Sequence, residues 1–371
     1  MRKVFGFVDL FNAPELGPLT EKRNFGAVTF LGRYGLIDFA LSNFANSKIN
    51  RIGIIVDKYS SSVRSHIQNG SAFISNTKTG CLHVMFNERA LRKSEPNTDI
   101  ETINISKEHF TDGGSEIIIV APVYILASMD FNPFIESHIR SGKDVTLVYE
   151  HRFDLDKTMK GMNILNIKGN IVKGIKRNDQ KDKEGDVSLD IFIMNRDFFD
   201  HILSSQREVN IKYGIREMIK YEVTKNKVEA NSYEFKGFVL PILNLDDYIN
   251  GSFYLLPYLN RLKVFKDGWP IYTATHNTPP AKYGPKANVK NSFIANGSII
   301  DGTVENSILS RNVVVKAGAS VKNSIVFTST EIGRGSSLNY VLTDKSAKIG
   351  EKVSLTGNKK EYVIVKQGEK L

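Results

Sequence analysis

A repeat of six residues runs through the last part of the chain and restricts the fold more than any other feature. Apolar residues recur at this spacing between turns rich in Gly, Asn and Ser, namely Leu309, Val315, Val321 and Phe327, then Val326, Ile332 and Leu338 in a neighbouring register, and then Ile349 and Leu355. Hexapeptide periodicity is typical of a left-handed parallel β-helix, in which coils of three short strands stack their inward side chains. An antiparallel β-domain is the alternative, but the runs are too short and the step too constant for it.

The chain before residue 240 alternates between β-strand and α-helix patterns. Strands are predicted at 4–10, 50–56, 116–121 and 144–149, and helices at 36–47 and 132–141. The stretch 116–121 (EIIIVA) is a continuous apolar run, as expected in the middle of a parallel sheet. This alternation predicts an open α/β sheet with helices on both of its faces.

The composition changes at about residue 275, where prolines begin to interrupt the chain. Pro279, Pro280 and Pro285 mark a linker before the repeats begin. The sequence therefore predicts an α/β domain at 1–262, a linker at 263–284 and a β-helix domain at 285–371.

Composition and charge exclude several classes of protein. The chain has 371 residues with a formal net charge of +10, but its basic residues are scattered, so nucleic acid is not expected as a partner. No apolar run reaches the roughly 20 residues needed to cross a bilayer, and Asp9 interrupts the short apolar N-terminus, which predicts a first strand and not a signal peptide. Cys81 is the only cysteine, so no intrachain disulfide can form, and a cytoplasmic location is expected.

The segment 18–55 carries a run of motifs that matches a known family. It has LT at 19–20, KR at 22–23, GRY at 32–34, LIDF at 36–39, LSN at 41–43 and NS at 46–47. It closely resembles the N-terminal region of glucose-1-phosphate adenylyltransferases, and the stretches 279–284 (PPAKYG) and 295–325 resemble the β-helix of the same family. The resemblance implies a nucleotidyltransferase domain with a Rossmann-like, mostly parallel mixed sheet, followed by a left-handed parallel β-helix.

The family reaction joins ATP and glucose 1-phosphate to give ADP-glucose and pyrophosphate. Its catalysis depends on alignment and charge neutralisation. A glycine-rich loop approaches the triphosphate, two acidic residues hold Mg²⁺, and a basic residue neutralises the transferred phosphoryl group.

Each of these devices is altered in this chain. The glycine-rich loop corresponds to DLFNAPELG at 9–17, and the basic residue of a K-P pair falls on FG at 25–26. The central strand leads into no carboxylate before Asp130, and Pro241 replaces the second metal-binding aspartate. The sugar-binding E-K-P motif corresponds to KRN at 176–178, and a family glycine corresponds to Asp190.

These losses resemble the GlgD-type subunit, the non-catalytic, regulatory companion of the catalytic GlgC-type chain in glycogen synthesis. The resemblance implies a heterotetramer with the catalytic subunit, no catalytic or metal-binding residue and no cofactor on this chain, and Mg²⁺ at the partner's active site. A weakly active enzyme with substitute acids at Asp9, Glu15 or Asp130 is the alternative. An enzyme that acts on another sugar is a third reading, which the specific match to the glucose family disfavours.

Two basic residues are candidates for an effector site. Lys22 and Arg23 correspond to residues that lie near an allosteric phosphate-binding site in the family, which implies a sugar-phosphate effector. Ordinary solvated charge is an equally good reading. Gly35 stands where the family has an arginine that contributes to that site, so the pocket is expected to be incomplete.

Overall fold

A computed structural model describes residues 3–74, 80–88, 97–108 and 114–371, and the chain divides into two compact units. The first unit contains the chain up to Pro14 together with Ile37–Leu243 and Lys266–Tyr272. The second contains Glu15–Leu36, Asn244–Phe265 and Thr273–Leu371. The units interleave along the chain, and the predicted domain limits at 262 and 285 stay predictions.

The elements before the β-helix are short and alternate in type. The described strands are β1 (Val4–Asp9), β2 (Thr29–Phe30), β3 (Tyr34–Gly35), β4 (Arg51–Val56), β5 (Cys81–Phe86), β6 (Ile117–Pro122), β7 (Ile125–Leu126), β8 (Val145–Arg152), β9 (Asn163–Lys168), β10 (Ile171–Arg177), β11 (Gly185–Asn195), β12 (Ala230–Glu234) and β13 (Leu240–Pro241). The described helices are α1 (Ile37–Asn46), α2 (Ser60–Ile67), α3 (Asp99–Ile105), α4 (Asn132–Ser141), α5 (Arg196–Val209), α6 (Ile215–Thr224), α7 (Leu245–Tyr254) and α8 (Tyr258–Arg261). Within the described ranges, every helix is too short or too polar to span a membrane.

The first unit is built on a mixed sheet with the strand order β5-β4-β1-β6-β11-β8-β12-β10-β9. Strands β5, β4, β1 and β6 pair in parallel, and β12 pairs in parallel with β8. Strand β11 is antiparallel to both β6 and β8, and β10 is antiparallel to β12 and β9. Seven of these nine strands therefore run in one direction, and only β10 and β11 run in the other, which confirms the predicted mostly parallel, Rossmann-like mixed sheet.

The core of the first unit explains why these segments form strands. Every side chain of β6 is buried, as the continuous apolar run at 116–121 predicts. Helices α5 and α6 bury one apolar face each against the sheet, with Phe199 and Met218 fully buried. Since β1, β4 and β6 are parallel, their carboxyl ends lie along one edge of the sheet. In open α/β sheets this edge is where ligands bind.

A parallel β-helix dominates the second unit. Its strands are β14 (Lys282–Tyr283), β15 (Asn288–Lys290), β16 (Phe293–Ile294), β17 (Ile299–Ile300), β18 (Thr303–Glu305), β19 (Ile308–Leu309), β20 (Val314–Val315), β21 (Ser320–Lys322), β22 (Ile325–Val326), β23 (Glu331–Ile332), β24 (Ser337–Asn339), β25 (Val341–Thr343), β26 (Lys348–Ile349), β27 (Ser354–Thr356) and β28 (Val363–Val365). They form three parallel five-stranded faces. The predicted left-handed parallel β-helix is confirmed.

The six-residue repeat marks the inside of this β-helix, with one exception. Val304, Val321 and Leu338 lie in register on successive coils and are fully buried. Phe327 is also buried, but its ring packs against the ring of Tyr248 in α7, with 6.4 Å between the ring centroids. The neighbouring Val326 belongs to the β-helix core. At position 327 the six-residue repeat therefore predicted burial correctly, but the side chain packs against α7 and not inside the β-helix.

The GRY motif at 32–34 turns the β2–β3 hairpin tightly against a coil of the β-helix. Gly32 has φ +73°, and a Cβ at this position would lie 2.8 Å from the carbonyl oxygen of Leu309. Only glycine combines this backbone conformation with so close an approach.

Candidate functional site

The first turn after β1 occupies the position of the expected phosphate-binding loop. Asp9 ends β1, and its carboxylate accepts hydrogen bonds from the backbone N–H of Phe11 at 2.8 Å and from Asn12 Nδ2 at 2.9 Å. Asn12 Nδ2 also donates to Asp99 Oδ2 at 3.1 Å. The turn is therefore held by its own side chains, where the family has bare glycine backbone.

Asp99 joins this turn to the start of α6. Its carboxylate accepts hydrogen bonds from the backbone N–H groups of Ile100 at 2.7 Å and Ile215 at 3.1 Å. Backbone N–H groups at the start of a helix are natural ligands for an anion. In this chain a carboxylate of the protein already takes the Ile215 N–H group.

Three acidic side chains make this edge unfavourable for a triphosphate. Burial, together with the charge of the neighbouring Asp9, raises the pKa of Asp99 to about 7. Burial also raises the pKa of Asp9, and it raises the pKa of Asp57, directly after β4, to about 6. A triphosphate is negatively charged and needs positive groups around it. These carboxyl groups are either neutral or negative, so they do not attract it.

A second network surrounds the residue that stands in the place of a family glycine. Asp190 has φ +53°, a conformation that glycine adopts freely, and it is 3% exposed. Tyr124 Oη donates to Asp190 Oδ2 at 2.7 Å, and Arg216 Nη1 donates to the same oxygen at 3.3 Å. Arg216 Nε also donates to Glu217 Oε1 at 3.2 Å. The side chain of Asp190 therefore fills space that a glycine would leave open.

The charges in this network stabilise one another. Burial acts against the charge of Arg216, but the adjacent Asp190 and Glu217 hold the pKa of its guanidinium above the ordinary value. Burial raises the pKa of Tyr124, and the Asp190 carboxylate adds to that shift, so the phenol stays protonated and donates its hydrogen bond. The network is a charge-paired part of the fold.

The residues at the expected magnesium positions do not fit the ion. Strand β6 ends in Pro122, which is followed by Val123, and both are buried and lack a ligand oxygen in their side chains. Pro241 pairs with Ile125 in the β13–β7 ladder. In the described part of the chain, no group of three or more His, Cys, Asp or Glu residues could hold a metal ion. Carboxylate oxygens are what Mg²⁺ prefers in proteins, and the side chains at these positions carry no oxygen.

Two of the proposed substitute acids already accept hydrogen bonds from their own part of the fold. Asp9 is used by the turn after β1, as described above. Asp130 accepts hydrogen bonds from the backbone N–H of Asn132 at 2.9 Å and from Ser47 Oγ at 3.3 Å, which fixes the start of α4. Glu15 is exposed and belongs to the second unit.

The two candidate effector residues differ in their surroundings within the second unit. Lys22 is exposed. The guanidinium of Arg23 is buried and forms a bidentate pair with Asp344 at 2.7 and 2.9 Å, and it also donates to Gln367 Oε1 at 3.0 Å. Lys345 lies beside this pair, and its pKa is lowered by burial and by the charge of Arg23. This corner of the second unit therefore holds more positive than negative charge.

The sequence comparisons agree with the two units. A nucleotidyl transferase family model matches residues 13–237, and a GlmU-like C-terminal hexapeptide model matches residues 279–363. The chain is 30% identical to the glycogen biosynthesis protein GlgD of Bacillus subtilis (strain 168) over 353 residues, which cover 95% of this chain and 92% of that protein. The chain belongs to the glucose-1-phosphate adenylyltransferase family. Within this family it is also 30% identical to GlgD of Geobacillus stearothermophilus, over 86% of this chain and 83% of that protein.

An adenylyltransferase of the same family is a more distant match. The glucose-1-phosphate adenylyltransferase of Thermotoga neapolitana is 26% identical over 314 residues, which cover 83% of this chain and 73% of that protein. The resemblance read from residues 18–55 and 295–325 is confirmed by these matches.

Sequence reasoning found the missing family residues but not the side chains that replace them. Tyr124, Arg216 and Asp99 belong to the networks at the family site, and none of them stood out in the sequence. Only Asp190, a carboxylate at a glycine position, signalled that the space had been filled.

Proposed function

We propose that this chain is a regulatory, non-catalytic subunit of glucose-1-phosphate adenylyltransferase in glycogen biosynthesis. The observation that carries the proposal is the closed edge of the first unit, where Asp9, Asn12 and Asp99 bond to one another in place of a glycine-rich loop. The altered magnesium positions point in the same direction. The relatives named GlgD support the link to glycogen biosynthesis.

In this proposal the chemistry belongs to a catalytic GlgC-type partner in a cytoplasmic heterotetramer. The partner binds ATP, glucose 1-phosphate and Mg²⁺, while this chain changes the population of its active conformers. A subunit of this kind needs a stable fold and an interface, and it has no need of an open site. The charge-paired network around Asp190 supports this view, because it stabilises the fold without leaving room for a substrate.

The proposal is tested by mixing the subunits. Pyrophosphate release from ATP, glucose 1-phosphate and Mg²⁺ is measured for a catalytic family member alone and for its mixture with this chain. We expect the mixture to differ from the catalytic chain in turnover or in substrate affinity, and the two chains to elute together on size exclusion. Separate elution with unchanged kinetics would rule out the regulatory role.

We also propose that a sugar phosphate binds near Lys22 and Arg23 as an effector. The positive charge around Arg23 and Lys345 suits an anion, although Asp344 already takes one face of the Arg23 guanidinium. Inorganic phosphate and a hexose phosphate are titrated into the mixed-subunit assay. We expect Lys22→Ala to weaken the response to either anion and the matched surface change Lys160→Ala to leave it unchanged. An equal response in both variants would contradict the assignment.

A further inference from the structure

A cavity of about 550 Å³ lies in the first unit and is lined by none of the residues of the two networks described above. Its walls come from the start of α4, the end of β12 and the segment 266–269. This volume is in the range of sites that bind small molecules. Neither the family motifs nor the comparisons assign a role to it.

Aromatic rings form much of the cavity wall, and the surrounding structure holds them in place. The ring centroids of Phe134 and Tyr233 are 4.8 Å apart. Those of Phe134 and Phe235 are 6.2 Å apart, and these two rings are nearly perpendicular. On the segment 266–269, Trp269 donates from Nε1 to Asn43 Oδ1 at 3.1 Å. Asn43 is itself fixed, because its Nδ2 donates to the carbonyl oxygen of Ala127 at 2.9 Å. The half-buried ring faces of Tyr233, Phe235 and Trp269 are therefore preorganised.

Charged groups of both signs line the same cavity. Three carboxylates contribute, from Asp130, Glu234 and Asp267, and two ammonium groups, from Lys236 and Lys266. All five residues are exposed. With more acids than bases, this lining disfavours a phosphate or a nucleotide as the ligand. The density of hydrogen-bonding groups equally disfavours a purely apolar ligand.

We propose that this cavity binds a neutral carbohydrate, specifically a short α-glucan chain. The C–H faces of pyranose rings pack on the aromatic rings, and the sugar hydroxyls donate to the carboxylates and accept from the lysine ammonium groups. The combination of aromatic walls with a few convergent polar groups fixes both the orientation and the identity of a small ligand. The choice of an α-glucan among carbohydrates rests on the proposed function in glycogen biosynthesis.

The chain carries its own reporter for this binding. Trp269 is the only tryptophan in the sequence and lines the cavity, so its fluorescence responds to a ligand there. Maltohexaose is titrated into the full chain, with cellohexaose, glucose 1-phosphate and ATP as parallel arms. We expect a saturable change with maltohexaose and at least a tenfold weaker response with each of the other three.

Two variants separate the cavity from the rest of the surface. Phe235→Ala removes a wall of the cavity and should weaken maltohexaose binding at least tenfold. Phe153→Ala removes a phenylalanine that is 75% exposed in the same unit but does not line the cavity, and it should leave binding unchanged. If Phe235→Ala does not fold by circular dichroism, Asp267→Ala replaces it, because Asp267 lies in an exposed turn.

The outcomes are distinct from those of the subunit-mixing test. No saturable change with maltohexaose would overturn the proposal, and so would binding that survives both Phe235→Ala and Asp267→Ala. Tighter binding of cellohexaose, glucose 1-phosphate or ATP would overturn the assignment to an α-glucan. The titration uses this chain alone and measures no turnover, so its failure leaves the regulatory role to be judged by the mixed assay.

Discussion

Asp190 combines an uncommon backbone conformation with a buried charge. A non-glycine residue at φ +53° costs about 1 kcal/mol relative to glycine, and the cost must be offset elsewhere. The hydrogen bonds from Tyr124 and Arg216 to its carboxylate provide that offset. At this position a strained backbone conformation is therefore compensated by hydrogen bonds and an ion pair of the side chain.

Restoring the glycine should destabilise the first unit. Asp190→Gly relieves the backbone but leaves the buried Tyr124 hydroxyl and part of the Arg216 charge without their acceptor, so we expect a net loss of about 2 kcal/mol in the free energy of unfolding. Asp190→Asn is the matched control, because asparagine tolerates this backbone and keeps an oxygen for Tyr124. Urea unfolding of the three proteins measures the difference. A variant Asp190→Gly that is more stable than the wild type would show that the network does not hold the fold.

The raised pKa of Asp99 makes stability depend on pH in a defined direction. Its pKa is about 7 in the folded state and near 3.9 in the unfolded state, so the folded state binds more protons between these values. The contribution of this group is therefore fully present below about pH 4 and is lost as the pH rises through about 7.

Replacing this acid should remove its part of the pH dependence. As the pH rises from 5 to 8, the stability of Asp99→Asn should increase by about 3 kcal/mol relative to that of the wild type, because the amide has no proton to lose. The free energies of unfolding of both proteins are measured in urea at each pH. A constant difference between them across this range would mean that Asp99 is ionised in the folded protein throughout.

The sequence revealed which family residues were missing, because a motif lists them in order along the chain. It could not reveal Tyr124, Arg216 and Asp99 as their replacements. These residues are far apart in the sequence and meet only because β6, β11, α3 and α6 converge at one edge of the sheet. A hydrogen bond between side chains leaves no periodic signal.

At the scale of elements, an asparagine ladder stabilises one corner of the β-helix. Asn291 donates from Nδ2 to Asn306 Oδ1 at 3.0 Å, Asn306 to Asn323 at 2.7 Å, and Asn323 to Asn339 at 2.9 Å. Asn291, Asn306 and Asn323 have φ between +43° and +47°, which asparagine tolerates better than most residues. The ladder links four successive coils.

Two substitutions of Asn306 separate the free energy of its strained backbone conformation from that of its hydrogen bonds. Asn306→Ala loses two hydrogen bonds and puts alanine, which tolerates the left-handed region less well than asparagine, at this backbone conformation, so we expect a loss of about 2 kcal/mol. Asn306→Gly loses only the hydrogen bonds and should cost about 1 kcal/mol. Thermal unfolding of the two variants measures both values. Equal losses in Ala and Gly would mean that the backbone conformation at this corner is not strained.

The elements themselves were largely predictable from the sequence. The six-residue step identified buried residues of the β-helix because each coil repeats the same environment, and the helix predicted at 132–141 matches Asn132–Ser141. Phe327 shows the limit of this reasoning. Its burial depends on α7, an element outside the repeat, and a period carries no information about such a neighbour.

At the scale of the whole molecule, the chain has both folds of the family. The departures from the family motifs at Asp9 and Asp190 lie in the first unit, at the edge of the sheet where the parallel strands end. The mixed sheet and the β-helix that the family implies are both present, while Asp9 stands at the start of the expected glycine-rich loop and Asp190 at the position of a family glycine. A protein that needs only its fold and its interfaces tolerates such changes, because catalysis places the stricter demand on local geometry.

The most direct test of a lost active site is a single-turnover measurement on this chain alone. The chain is mixed in molar excess with ATP, glucose 1-phosphate and Mg²⁺, and pyrophosphate is followed over a period in which a catalytic family member converts all of the ATP. We expect no release above the rate without protein, because the side chains at the expected magnesium positions carry no oxygen and Asp9, Asn12 and Asp99 are hydrogen-bonded to one another at the expected phosphate loop. Release of pyrophosphate in proportion to the ATP supplied would contradict the loss of the site and would make this chain an enzyme.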